Sequence, residues 1–303
     1  MNSIKFFTLR VSVFAFAAAL IVSCAEPSSE EKSSTEKPEK SEQESDSLSS
    51  TRSVVKYQGE IFSIPSPVQS VMLLKKADIR YNEDLLNDVS NSSEYIREYK
   101  KALNLGVYGT DLAYLANFEN NQLSLKYLTT IESLSSDLNI QSAVSQDILE
   151  RFTNNIGNRD SLYALNGEFY RAGYRYLKQN ERNKLASLIL TGGWIEALHL
   201  SLDAAQNSEL LRNRVGQQRS ALNSIVKLTQ SVEEEELIEM NKKLTELQSI
   251  FEELEYTYEY QKPITDQKEK TTYINSKSSV TVTDEQLKRI KEKTNEIREI
   301  IIS

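Results

Sequence analysis

From residue 68 to residue 262 the chain runs 195 residues without a proline, and its apolar residues recur at spacings of three and four. That period belongs to helices burying one face, not to strands. It predicts helices over 67–78, 92–118, 121–137, 144–156, 159–179, 182–206, 208–230, 232–261 and 284–302. Strand-like alternation is confined to 54–61 and 279–283. The expected fold class is all-α: an irregular multi-helix bundle with a C-terminal coiled-coil-like hairpin.

Capping chemistry sharpens several helix starts. Ser66-Pro67-Val68-Gln69 offers a hydroxyl at N-cap, proline at the first helical position and glutamine at the third, so a helix should begin there. Ser231 with Glu234, and Thr283 with Gln286, repeat the signal. Between the last two, Leu237, Met240, Leu244, Leu247, Phe251, Leu254 and Tyr258 alternate spacings of three and four as a coiled-coil seam does. Val215, Leu222, Ile225 and Val232 lie one residue out of phase with it, which divides the stretch into two helices. Leu287, Ile290, Ile297 and Ile301 supply a third apolar edge after a polar loop at 262–282. The hairpin can close on its own domain or accept another chain. Glu252, Glu255 and Glu259 are read as a solvated strip opposite the seam. No fixed repeat of 30–45 residues emerges.

Composition narrows the chemistry. One histidine and one cysteine exclude an intramolecular disulfide, a four-thiolate zinc site and a di-iron centre that needs two Glu-x-x-His units. Phosphate-loop, nucleophile-elbow, His-Glu-x-x-His and calcium-loop patterns are missing. The formal charge is −8, with 36 basic residues against 44 acidic and no basic block, so nucleic acid is not an expected partner.

The first residues carry an address. Lys5 and Arg10 precede an apolar run at 11–22 that is too short to span a bilayer as a helix, and the run ends in Ile21-Val22-Ser23-Cys24. This segment resembles the lipobox of bacterial lipoproteins. The resemblance implies that residues 1–23 are a signal peptide and that Cys24 carries covalent acyl chains, palmitate among them, as its membrane anchor; no other cofactor is expected. Removing Lys5 and Arg10 with that peptide takes the charge from −8 to −10. Residues 25–52 hold nine serines, eight acids, four bases and no aromatic residue, so they form a disordered tether spanning roughly 30 Å. Beyond it, 53–230 is expected to be the helical bundle and 231–303 the hairpin and C-terminal helix, which can pack together as one domain.

Three constellations are candidates for ligand chemistry. In the 92–118 helix Ala102, Gly106, Gly109, Ala113 and Ala116 form a small-residue seam that either admits another backbone closely or leaves a ligand slot. Asp111 and Tyr114 flank it. In the 182–206 helix, which Gly192-Gly193 is expected to interrupt, Glu196, His199 and Asp203 are spaced to approach one another across a turn. They can hold one metal ion or a proton; the alternative is a hydrogen-bonded structural histidine. Tyr163, Tyr170 and Tyr174, with Arg171 and Arg175 alongside, read as a groove or anion clamp or as a core edge, with Glu168 as the expected partner of Arg171.

The run from Ala102 through Leu105, Gly106, Tyr108, Gly109 and Asp111 to Leu112, and the run Leu190-Thr191-Gly192-Gly193-Trp194-Ile195-Glu196, resemble an uncharacterised all-helical lipoprotein family of Gram-negative bacteria. The resemblance implies an envelope location but no chemistry. The imelysin signature Gly-x-His-x-x-Glu is not matched, since Gly193, Glu196 and His199 stand in the wrong order. The functional expectation is a non-enzymatic interaction or assembly factor, anchored to the outer membrane and facing a protein partner. The alternative is a ligand- or metal-binding lipoprotein that uses Glu196 and His199.

Overall fold

The computed structural model describes residues 52–303 apart from 58–59, 142–145, 156, 233, 267–269 and 274. The lipobox, Cys24 and the tether to residue 51 lie outside the described residues. The chain is an all-α multi-helix protein carrying small two-stranded sheets. Strands β1 (Arg52–Tyr57) and β2 (Glu60–Pro65) form an antiparallel hairpin where the alternation at 54–61 reads as a single strand. Helix α1 (Pro67–Lys76) starts at the predicted proline.

Helix α2 (Glu98–Asn117) begins six residues later than the pattern predicts. Asp88 accepts from Ser90 N and holds a 3-10 turn at Val89–Glu94 that overlaps the expected helix start, and Asn82 holds another at Glu83–Leu85 by accepting from Asp84 N. Asp and Ser side chains compete with helix in this way wherever they cluster. After α3 (Asn121–Asp137), α4 (Gln146–Asn154) and α5 (Arg159–Gln179) comes α6 (Asn183–Ala205).

Helices α2 and α6 are the centre of the molecule. Every residue of α2 from Ala102 to Asn117 is buried, and α6 is apolar nearly all round. By length and composition α6 is a candidate membrane span, but 94% of its apolar window is buried inside this fold, as in a core helix. The Gly192-Gly193 pair does not interrupt it. A Cβ at Gly192 would overlap the Leu103 carbonyl, and one at Gly106 would overlap that of Ile189. The two glycine features are thus halves of one close crossing, spanned by a 3.2 Å bond from Thr110 Oγ1 to the Gly193 carbonyl. Tight backbone contact offsets the low helix propensity of glycine.

The predicted 208–230 helix breaks into α7 (Glu209–Gly216) and α8 (Arg219–Gln230). Gln218 sits in the break, accepting from Trp194 Nε1 at 3.2 Å and donating to the Arg214 carbonyl at 3.1 Å. Ser231 closes α8 as its C-cap instead of opening the next helix, its hydroxyl donating to the Leu228 carbonyl. The next helix, α9 (Ile238–Glu252), enters through a 3-10 turn at Glu235–Leu237 without a side-chain cap.

The seam residues Leu237, Met240, Leu244, Leu247, Phe251 and Leu254 are all buried, so the hairpin closes on its own chain. Helix α9 packs on α8 and on α10 (Asp284–Ile302), and α10 in turn packs on α6. Tyr258 departs from the seam. It lies on β3 (Glu255–Glu259), paired antiparallel with β6 (Lys277–Thr281). Glu255-Tyr256-Thr257-Tyr258 alternates with a period of two and is rich in strand-forming residues, so pairing with β6 overrides the heptad. The polar loop therefore contains a ribbon, extended by β4 (Ile264–Asp266) and β5 (Thr271–Tyr273), and Glu255 and Glu259 leave the strip expected on a helix. The ribbon is rooted by Tyr256, whose hydroxyl donates to the Gly216 carbonyl at 2.8 Å beneath the Arg219 guanidinium. Helix α10 starts with the predicted Thr283–Gln286 capping box.

Candidate functional site

A polar cluster occupies the interface of α2, α6 and α10. Glu196 on α6 is fully buried and receives two bonds from Arg298 on α10, Nε to Oε2 at 2.7 Å and Nη2 to Oε1 at 3.0 Å. Arg298 Nη2 also donates to the Leu85 carbonyl at 2.9 Å. Burial opposes the charge of Arg298, but the Glu196 carboxylate beside it outweighs that and raises its pKa.

Asp111, fully buried on α2, accepts from Asn87 N at 3.1 Å through Oδ2, while Oδ1 has no donor facing it. Burial and then the Glu196 charge drive its pKa well above the ordinary carboxylate value, against the opposing pull of Arg298. Burial and the neighbouring Glu196 charge thus favour the protonated form of Asp111, while Arg298 is the cation that pairs with Glu196. His199, a turn below Glu196, shares a 2.9 Å bond between Nδ1 and Asn295 Oδ1, so Nδ1 carries the proton. Its Nε2 is buried without a hydrogen-bond partner among the described residues, and burial lowers the imidazole pKa.

The surrounding bonds fix the chain terminus. Asn87 donates to Tyr95 and Asn104, and its carbonyl accepts from Tyr127 at 2.8 Å. Asn104 Nδ2 then reaches the Ile301 carbonyl at 2.8 Å, Tyr95 the Ile302 carbonyl at 3.1 Å, and Lys100 the carbonyls of Ile300 and Ser303. A lysine over the last carbonyls complements a helix C-terminus.

Of the predicted site residues, Asp111, Glu196 and His199 share this cluster. Asp203 does not join them: it pairs with Lys291 at 3.2 Å at the half-exposed edge. Tyr114 turns away from Asp111, accepting from Asn82 N at 2.9 Å and packing on Tyr81 and Phe118. Among the described residues no three His, Cys, Asp or Glu side chains group as metal ligands would. The side chains of Tyr163, Tyr170, Arg171 and Tyr174 lie outside the described residues, and Arg175 is exposed. Glu168 is taken by Arg151 of α4, at 3.1 and 3.0 Å.

Arg298, Asn87, Asn104 and Asn295 are functional members that the sequence reading misses. The one available signal was Arg298 next to Ile297, four residues after Thr294, on the face that α10 buries. Chemically the cluster sets two carboxyl groups, Asp111 and Glu196, beside one guanidinium. Asp111 and Glu196 are both fully enclosed. The cleft lined by Ser70, Trp194, Ser201, Arg214 and Gln218 shares none of these side chains. No protein-family model, curated protein or solved structure matches the chain.

Proposed function

We propose that the protein is a lipid-anchored component of a Gram-negative envelope, fastened to the outer membrane by acyl chains on Cys24, that acts as a non-enzymatic interaction or assembly factor through its β-ribbon. The observation that carries the reading is the ribbon's aromatic surface. Tyr258, Tyr260, Ile264 and Tyr273 are 67%, 68%, 62% and 51% exposed. Tyrosine gives contact area at low entropic cost and is enriched where proteins meet. The enclosed Glu196–Arg298 pair supports the same reading from the other side, since its two charges answer one another and tie α6 to α10.

Two experiments test the reading. A photo-crosslinking residue placed at Tyr258 or Tyr273 in growing cells should give a discrete adduct absent when it replaces Lys288, whose side chain is 76% exposed on α10. The same adduct pattern at all three positions would reject the ribbon as the contact surface. Cys24→Ser should abolish palmitate labelling and release the protein from membranes; membrane retention without label would reject the anchor.

A further inference from the structure

Strand β3 is open along one side. It pairs only with β6, all five of its residues are exposed, and none of its main-chain groups bonds to a described residue outside that pair. Open strand edges recruit other strands, and proteins blunt them with proline, lysine, bulges or a covering element. Here β3 has no proline or lysine, and its register with β6 runs one to one from Glu255 opposite Thr281 to Glu259 opposite Lys277.

Its side chains decide what can pair with it. Glu255-Tyr256-Thr257-Tyr258-Glu259 reads identically in both directions, so antiparallel addition of a second copy centred on Thr257 sets Glu255 against Glu259 twice. Parallel addition in register sets each glutamate against itself. Like charges directly opposite are destabilising, so the strand disfavours its own copy. The tether at 25–52, with eight acids to four bases, is matched no better. Neither glutamate has a cation of its own, since no ion pair involves them among the described residues, Lys277 included.

Resting on the interaction reading above, we infer that the β3 edge receives an extended segment of a partner protein, one with lysine or arginine four residues apart and apolar or aromatic residues at the two positions flanking the residue midway between them. The cations would face Glu255 and Glu259, and the apolar pair Tyr256 and Tyr258, because side chains directly opposite in a sheet share a face. Main-chain bonds supply affinity, and the alternating side chains supply selection.

The test uses the full-length lipidated protein in nanodiscs and two fluorescent peptides, one centred on Lys-Val-Thr-Val-Lys and one on Glu-Val-Thr-Val-Glu. The basic peptide should bind about tenfold more tightly at low salt, the scale of two favourable against two unfavourable cross-strand pairs. It should also slow hydrogen exchange of the β3 amides. Glu255→Gln with Glu259→Gln, both exposed and introducing no like-charge pair with Lys277, should abolish the preference. Equal affinities, or binding that leaves β3 exchange unchanged, would overturn the inference. A Tyr258 crosslink found in cells without any preference for the basic peptide would overturn strand addition while leaving the interaction reading intact.

Discussion

Glu196 and Arg298 stand 102 positions apart in the chain and meet through two hydrogen bonds of 2.7 and 3.0 Å, with Glu196 at 0% exposure. Removing one member leaves the other charge buried alone. Arg298→Ala is expected to lower unfolding free energy by about 3–5 kcal/mol in urea denaturation. Glu196→Gln combined with Arg298→Met, which removes both charges, should cost less than Arg298→Ala alone. A double variant worse than the single one would show that the ion pair is not the source of the loss.

Asp111 and His199 should give stability opposite dependences on pH. The folded state binds the Asp111 proton more tightly than the unfolded chain does, so that contribution is full in acid and is lost as pH rises from the ordinary carboxylate range toward the raised value. The lowered pKa of His199 adds stability that is present above its ordinary value of 6.5 and lost as pH falls toward the lowered one. In chemical unfolding across a pH series, Asp111→Asn should gain on the wild type as pH rises, by up to about 1.4 kcal/mol per unit. His199→Gln should lessen the loss below pH 6.5. A difference between Asp111→Asn and wild type that is constant with pH would mean that Asp111 is ionised in the fold.

Two glycines to alanine offer a paired test of the central crossing. Gly106→Ala places a methyl on the Ile189 carbonyl and must push α2 from α6, for an expected loss of about 3 kcal/mol or more. Gly173, on α5 with nothing within 4 Å of its added Cβ, should instead gain up to about 1 kcal/mol from helix propensity. Denaturant midpoints compare them directly.

Divalent zinc, nickel or manganese should leave the melting temperature unchanged. Glu196 is held by Arg298, His199 Nδ1 by Asn295, and Asp203 is drawn to Lys291. A stabilisation that vanishes in His199→Ala would show that these groups rearrange around a metal.

The helices were legible because their signals are local: a long proline-free stretch, apolar spacings, and a capping box at Thr283 that forms as read. What escaped depends on partners distant in sequence. Gly106 and Gly192 were each visible as gaps in side-chain bulk, but only the fold shows them filling one another. Tyr258 keeps perfect heptad phase and is nevertheless drawn into a strand by residues 277–281. For the cluster, helical spacing marks Glu196 and His199, while Arg298, 102 positions from Glu196, is joined to it only by the fold.

Residues 300–303 are a clasp on the fold. Ile300, Ile301, Ile302 and Ser303 offer their carbonyls to Lys100, Asn104 and Tyr95, and Arg298 supplies the cation that Glu196 requires. Without residues 298–303 the two central helices hold an unmatched anion between them. Loss of residues 298–303 would therefore act on the whole molecule rather than on one helix end.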